Sequence, residues 1–284
     1  MSAPAIHRTV LDFRAACDAA RAAGARLGFV PTLGALHAGH LHLVRVARRH
    51  ADRVAVSIFV NPTQFGPNED FSRYPRNLER DVELLAGAGA DLVLAPSADE
   101  VYPKGEKTRV RVSGLSEHLC GPFRPGHFEG VATVVAKLFN IVRPHAAVFG
   151  KKDFQQLHIL RALNRQLNFG IEIVGGDTVR ERDGLAMSSR NSYLAADERE
   201  EAVRLSRNLK HVKREIEGGS RDFARLAEAA AADLASHGWK VDYVELRNRA
   251  TLAPPGPDDR ALVVLAAAWL GKTRLIDNLE IDSP

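Results

Sequence analysis

The sequence predicts an α/β protein in which a doubly wound parallel sheet is followed by a smaller α+β unit. Three observations carry that expectation. Between Thr9 and Val174, short apolar runs rich in β-branched residues alternate with amphipathic stretches, the pattern of parallel strands buried on both faces by crossover helices. Past Gly175-Gly176 the order changes to a polar, turn-rich segment, two helical stretches and three strand candidates, which is α+β texture. The segments richest in chemistry directly follow strands of the first part, where doubly wound sheets bind ligands.

The elements follow from local signals. Thr9 is placed to cap a helix over 10–23, and Gly24 to end it. Strands are expected at 27–30, 54–60, 91–95, 146–149 and 171–174, with helices near 40–50, 78–88, 130–142 and 155–167 between them. Farther on, helices are expected over 196–217 and 222–237, then strands over 241–247, 261–268 and 273–279, with the turn cluster Pro254-Pro255-Gly256-Pro257 among them. The boundary is expected near 176–178, giving domains 1–176 and 177–284.

Composition narrows the function classes. With 45% hydrophobic and 26% charged residues in 284, the chain is globular rather than disordered. A net charge of +4, with a pI of about 9.2, suits an anionic small molecule as well as nucleic acid. Basic residues are dispersed, however, and aromatics at 6% form no aromatic–basic platform, so no nucleic-acid partner is expected. Cys17 and Cys120 are too few for a disulfide framework or zinc cluster and read as reduced thiols of a cytoplasmic protein. Residues 1–13 lack the apolar region of a signal peptide, and the longest apolar run, 261–270, is far short of a membrane span, so no membrane association is expected.

The segment from Leu27 to Val44 reads as a buried strand, a tight Pro31/Gly34 turn and a helix opening near His37 to His40. Two histidines three apart face the same way. At a helix N-terminus they join free backbone N–H groups and the positive end of the dipole, which makes an anion site. Gly39 is expected to let a phosphate approach the backbone. The competing reading is two surface histidines; the preceding strand and turn favour the anion site. Asn61-Pro62-Thr63-Gln64-Phe65-Gly66 also follows a strand, and its amides suit hydroxyls or a carboxylate, unless it is a plain polar turn. In Gly150-Lys151-Lys152-Asp153-Phe154-Gln155-Gln156 a glycine, lysines and a helix start coincide, which suits phosphate; a simple capped, solvated helix start reads equally well. Asp153 could cap that helix or accept from ribose hydroxyls, and Gln156 should face the same side. Residues 180–191 group guanidinium and hydroxyl groups around Gly184, a mobile phosphate clamp or else a charged linker. No P-loop and no glycine-rich dinucleotide fingerprint is present. The combination points to nucleotidyl transfer rather than hydride transfer.

These segments resemble the pantoate–β-alanine ligases, members of the His-x-x-His nucleotidyltransferases related to class I aminoacyl-tRNA synthetases. The likeness rests on Pro31 to His40, Val56 to Phe65, Tyr74-Pro75-Arg76, Arg124 to Phe128, Phe149 to Leu157 and Asp183 to Asn191, which span most of residues 27–194. It implies a Rossmann-like sheet with a C-terminal lid, and ATP-dependent condensation of (R)-pantoate with β-alanine through a pantoyl-adenylate. AMP and pyrophosphate would be released, with Mg²⁺ on the phosphates, in a cytoplasmic homodimer. By position, the resemblance implies that His37 and His40 contact the phosphates, with His40 the proton donor, and that Lys152 holds the α-phosphate. Ser188, Ser189 and Arg190 would close over the outer phosphates, Gly150 and Asp153 would take the ribose, and Val179 would lie beside the adenine. Leu33, Gly34, Lys151 and Met187 would complete the nucleotide site. Gln64 and Gln156 would grip the pantoate hydroxyls, with Gln64 also near β-alanine and Asn61 a third substrate-binding residue; metal ligands are not identified. Leu33 departs from the family's usual methionine, and Lys151 stands where an acidic or amide residue is common, setting a second cation beside Lys152. A phosphopantetheine adenylyltransferase would share His37 and His40 without needing both Gln64 and Gln156. An aminoacyl-tRNA synthetase would require a tRNA-binding domain larger than 195–284.

Overall fold

The computed structural model describes residues 3–284. In chain order the elements of the first part are β1 (Ala5–His7), α1 (Val10–Ala22), β2 (Leu27–Thr32), α2 (Ala38–His50), β3 (Arg53–Ile58), α3 (Leu78–Ala88) and β4 (Leu92–Leu94). Then come two single-turn helices, α4 (Ala98–Val101) and α5 (Cys120–Phe123), followed by α6 (His127–Val142), β5 (Ala146–Gly150), α7 (Phe154–Gln166) and β6 (Glu172–Gly176). The second part holds α8 (Ala196–Glu201), α9 (Val203–Glu217), α10 (Phe223–Ser236), β7 (Lys240–Asn248), β8 (Ala261–Leu270) and β9 (Thr273–Asp282).

The chain divides into two compact units, one comprising the residues up to Lys151 with Gln156–Asp177, the other Lys152–Gln155 with Thr178–Pro284. The division after Asp177 lies one residue from the expected one, but Lys152–Gln155 groups with the second unit. Part of the reason is long-range: Asn278 Nδ2 donates to the Lys152 carbonyl at 2.9 Å, a tie that local sequence pattern does not encode.

In the first unit six strands form one sheet in the order β1-β4-β3-β2-β5-β6, and every neighbouring pair is parallel. Val30, Val54, Val56, Val93 and Val148 pack with Val44, Ala47, Leu85 and Ala88 of α2 and α3 into a buried core. Strand order reverses between β2 and β5. There the pairing is short: β2 pairs with β3 from Leu27 to Thr32 but with β5 only at Gly28 and Phe29. The C-terminal ends of β2 and β5 therefore part, opening the crevice where doubly wound sheets take ligands.

β1 is absent from the expected elements; three residues with one β-branched side chain carry no readable period, and pairing with β4 makes the strand. The helix expected from 10 begins there, with the Thr9 side chain accepting from Asp12 N. The strand expected over 54–60 ends at Ile58, and the chain turns at Asn61.

The second unit is an antiparallel sheet, β7-β8-β9. Its central strand alternates Leu262, Val264, Ala266, Ala268 and Leu270 into a core with Leu205, Leu209, Val212 and Ile216 of α9 and Leu226, Ala230 and Leu234 of α10. The single helix expected over 196–217 is two, α8 and α9, meeting at Ala202, whose dihedrals (φ −54°, ψ −25°) remain helical.

Candidate active site

Beyond β2 the chain makes one turn before α2, and its geometry is held from two sides. Thr32 Oγ1 donates to the Ser57 carbonyl at 2.8 Å and accepts from Gly34 N at 3.2 Å. Ala35 is a non-glycine residue in the left-handed region (φ +51°), a conformation that needs support. Asp81, from α3 and only 2% exposed, supplies it: its two oxygens accept from Ala35 N at 2.9 Å and Leu36 N at 2.8 Å. Burial pushes the Asp81 carboxyl above the usual carboxylate range, against the pull of those two N–H groups. Sequence reasoning missed Asp81, which reads as one more charge on an amphipathic helix.

His37 is the N-cap of α2. Its Nδ1 accepts from Gly39 N at 3.1 Å, while His40 Nδ1 accepts from His37 N at 3.3 Å, a capping box built from two imidazoles. The ring centroids are 4.1 Å apart. A nitrogen that accepts is unprotonated, so each neutral ring carries its proton on Nε2 and can donate there. Gly39 has a more immediate reason than phosphate approach. A Cβ at 39 would stand 2.8 Å from His37 Cε1 and 2.9 Å from Nδ1, so the glycine makes room for the ring. Leu33 and Gly34 sit in the turn before the cap.

Beyond β3, Asn61 is fully buried. Its Oδ1 accepts from Thr63 Oγ1 at 2.9 Å and Tyr102 OH at 2.9 Å, and Nδ2 donates to Gln64 Oε1 at 3.0 Å and to the Gly130 carbonyl at 3.2 Å. α6 presses on this turn so closely that a Cβ at 130 would lie 2.2 Å from the Thr63 carbonyl oxygen. Below it, His127 Nδ1 donates to the Gln64 carbonyl at 2.8 Å and its Nε2 accepts from Arg124 at 2.9 Å. Arg124 in turn grips Glu69 with two bonds of 2.7 Å. Burial alone would raise the Glu69 pKa, but the Arg124 hydrogen bonds and charge hold it below its ordinary value. Tyr102, Glu69, Arg124 and His127 receive no role from sequence reasoning; nothing in their local pattern ties them to Gln64.

β5 ends at Gly150. Lys151 Nζ pairs with Asp177 at 2.9 Å, which lowers the Asp177 pKa, so its charge has a protein partner as well as any bound anion. Gln156 lies half-buried on α7.

In the second unit, Lys152 and Asp153 belong to one 3₁₀ turn leading into α7. Residues 179–187 form a small hairpin, with an Arg180–Ala186 bridge and a bond from Met187 N to the Val179 carbonyl at 3.0 Å. Val179 and Met187 thus stand opposite one another. Directly after Met187, Ser188 Oγ accepts from Arg190 N at 3.3 Å and caps the turn Ser189–Tyr193, which leaves the hydroxyl proton able to donate.

The geometry of both units has counterparts among known proteins. The family model described as Pantoate-beta-alanine ligase matches residues 5–280. A pantothenate synthetase of Thiobacillus denitrificans is 57% identical over 97% of this chain and 96% of its own length. The crystal structure of pantothenate synthetase from Thermus thermophilus superposes with a TM-score of 0.90 at 46% identity, covering 97% of this chain and 98% of that one. That of a pantoate-beta-alanine ligase from Francisella tularensis, complexed with beta-gamma ATP and beta-alanine, gives 0.83 at 34% identity, covering 98% and 97%. The chain belongs to the pantoate–β-alanine ligase family.

Proposed function

We propose that this chain carries out its family's ATP-dependent ligation of pantoate and β-alanine in two steps, through a pantoyl-adenylate. A carboxylate is a poor acceptor for an amine, so it must first gain a leaving group. In the first step a pantoate carboxylate oxygen attacks the α-phosphorus of ATP, the bond to the β-phosphate oxygen breaks, and pyrophosphate departs. In the second, the β-alanine amine attacks the acyl carbon, AMP leaves, and the amine gives up its proton.

The observation that carries this reading is the imidazole capping box of α2 at the C-terminal edge of a parallel sheet. Nδ1 of both rings is committed to the backbone, and the helix N-terminus favours anions. His37 and His40 then donate through Nε2 to phosphate oxygens, His40 being the group placed to protonate. Lys152 takes the α-phosphate, and Ser188, Ser189 and Arg190 take the outer phosphates. Gly150 and Asp153 meet the ribose and Val179 the adenine, with Leu33, Gly34, Lys151 and Met187 lining the nucleotide. Gln64 and Gln156 bind the pantoate hydroxyls, with Asn61 setting Gln64.

Mg²⁺ enters this reading with the nucleotide. Among the described residues no group of three His, Cys, Asp or Glu side chains stands together as a ligand set. Phosphates and water usually hold this ion, and there it would neutralise phosphate charge. We take the working form to be a cytoplasmic homodimer, to be checked by sedimentation. No described helix is long and apolar enough to cross a membrane.

The test is ATP–pyrophosphate exchange with pantoate and without β-alanine. Exchange under those conditions supports an adenylate made before the amine arrives. Exchange that requires β-alanine would overturn the two-step order.

A further inference from the structure

Asp277 and Asn278, neighbours on β9, are almost fully buried polar residues. Consecutive strand residues face opposite sides. Asp277 shares its side with Leu275, Leu279 and Ile281 of the second unit's core. Its carboxylate takes the Arg180 guanidinium in a two-pronged pair, at 2.7 and 2.8 Å. The same guanidinium donates to the carbonyls of Gly184 at 3.0 Å and Asn278 at 3.2 Å. Arg180 therefore fastens the 179–187 hairpin to β9. Asn278 faces the other way, and its Nδ2 donates to the Lys152 carbonyl at 2.9 Å.

We infer that Asp277 and Asn278 are positioning residues for the first half-reaction: β9 grips the Lys152 turn with one face and the hairpin leading to Ser188–Arg190 with the other. The inference rests on reading Lys152 and Arg190 as phosphate ligands. Stability alone is a poor account of the Arg180–Asp277 pair, because desolvating two charges offsets most of their attraction. A planar guanidinium fork on a carboxylate does fix orientation. Asn278 bonds a main-chain atom, so it sets the place of the Lys152 backbone without engaging the ammonium. Because the two residues are adjacent in one strand, the spacing between the two loops is tied to a single pleat. Neither residue touches substrate in this scheme; each acts through the loop it holds.

The experiment compares two half-reactions in the full-length enzyme: pantoate-dependent ATP–pyrophosphate exchange, and amide formation from supplied pantoyl-adenylate and β-alanine. The variants are Asp277→Asn, which keeps the shape and removes the charge, Asn278→Asp, which removes the donor, and the milder Arg180→Lys, which loses the fork. Asp277→Asn and Arg180→Lys, which displace the outer-phosphate ligands, should lower exchange roughly 10- to 100-fold and raise the ATP KM while amide formation stays within about twofold. Asn278→Asp, which displaces the ligand of the α-phosphate that the adenylate retains, should lower both half-reactions, and the pantoate KM holds in all three. Equal loss in both half-reactions for Asp277→Asn or Arg180→Lys, no loss in either for any of the three, or a raised pantoate KM for Asn278→Asp, would overturn the inference; should a buried variant fail to fold, Arg180→Lys decides. Lys152→Ala and Arg190→Ala are run alongside. If those two leave exchange intact, it is the assignment of phosphate ligands that falls.

Discussion

The buried Asn61 amide donates to Oε1 of Gln64 at 3.0 Å, and in doing so settles which end of the Gln64 amide is left to donate. Asn61 cannot turn over, since its Oδ1 accepts from the Thr63 backbone N–H at 3.3 Å and its Nδ2 donates to the Gly130 carbonyl at 3.2 Å. Gln64 is thus left with its NH₂ as the outward group, a donor suited to a hydroxyl or carboxylate oxygen. Asn61→Asp should reverse that polarity by placing a carboxylate oxygen against Gln64 Oε1. Losing one substrate hydrogen bond of about 1–3 kcal/mol corresponds to a rise of roughly 5- to 150-fold in pantoate KM. Steady-state kinetics with each substrate varied in turn checks this; a rise confined to the ATP KM would misplace Gln64.

The two imidazoles of the capping box should separate by substitution. His40→Ala should lower pantoate-dependent exchange by roughly 10²–10⁴-fold, the range for a lost proton donor or charge-stabilising group. His37→Ala should slow exchange too, and in addition cost about 0.5–2 kcal/mol of stability, because the N-cap is lost. His37→Asn keeps a capping acceptor. It should recover the stability, read by urea unfolding, without recovering exchange. Full recovery of exchange would make His37 a cap and nothing more.

Asp81 touches no proposed substrate atom, yet it holds Ala35 and Leu36. Asp81→Asn turns one of its two acceptors into a donor facing a backbone N–H. The buried mismatch should destabilise the protein by about 1–3 kcal/mol. Pantoate-dependent exchange should fall as well, because the turn orients the His37 cap. Unchanged exchange in a folded Asp81→Asn protein would show that the turn keeps its shape without the carboxylate.

Glu69 gives a pH prediction whose sign follows from its lowered pKa. A carboxyl depressed on folding binds fewer protons in the folded state, so its contribution is present above the unfolded value of 4.5 and is lost as pH falls through the folded one. Glu69→Gln should therefore lose stability at neutral pH and show a shallower decline below pH 4.5 than the parent. Urea midpoints at a series of pH values measure the difference. Parallel acid limbs would mean that the Arg124 pair adds nothing to folding.

How far the sequence can be read depends on the range of the interaction. The strand, turn and helix around His37 are legible because every signal lies within a dozen residues, and the cap forms where the pattern places a helix start. The parallel sheet is legible from its apolar runs, whereas β1 exists only through its partner β4. Asp81 and Asp277 act through pairs 45 and 97 residues away. Each looks locally like an ordinary charge, one on a helix and one in a strand. The role of Gly39 escapes the sequence for a related reason: the atom that needs its space is in the His37 ring, whose rotamer is set by the cap rather than by composition.

The contact between Gly130 and Thr63 makes the turn bearing Gln64 stiff on one side. Backbone against backbone, with no room for even a methyl group, leaves no compliant side chain to absorb a displacement. The start of α6 and the 61–64 turn must therefore recoil together. Strain introduced at the start of α6 is therefore passed on to Gln64, so substitutions there should be felt as changes in substrate selectivity rather than as local softness.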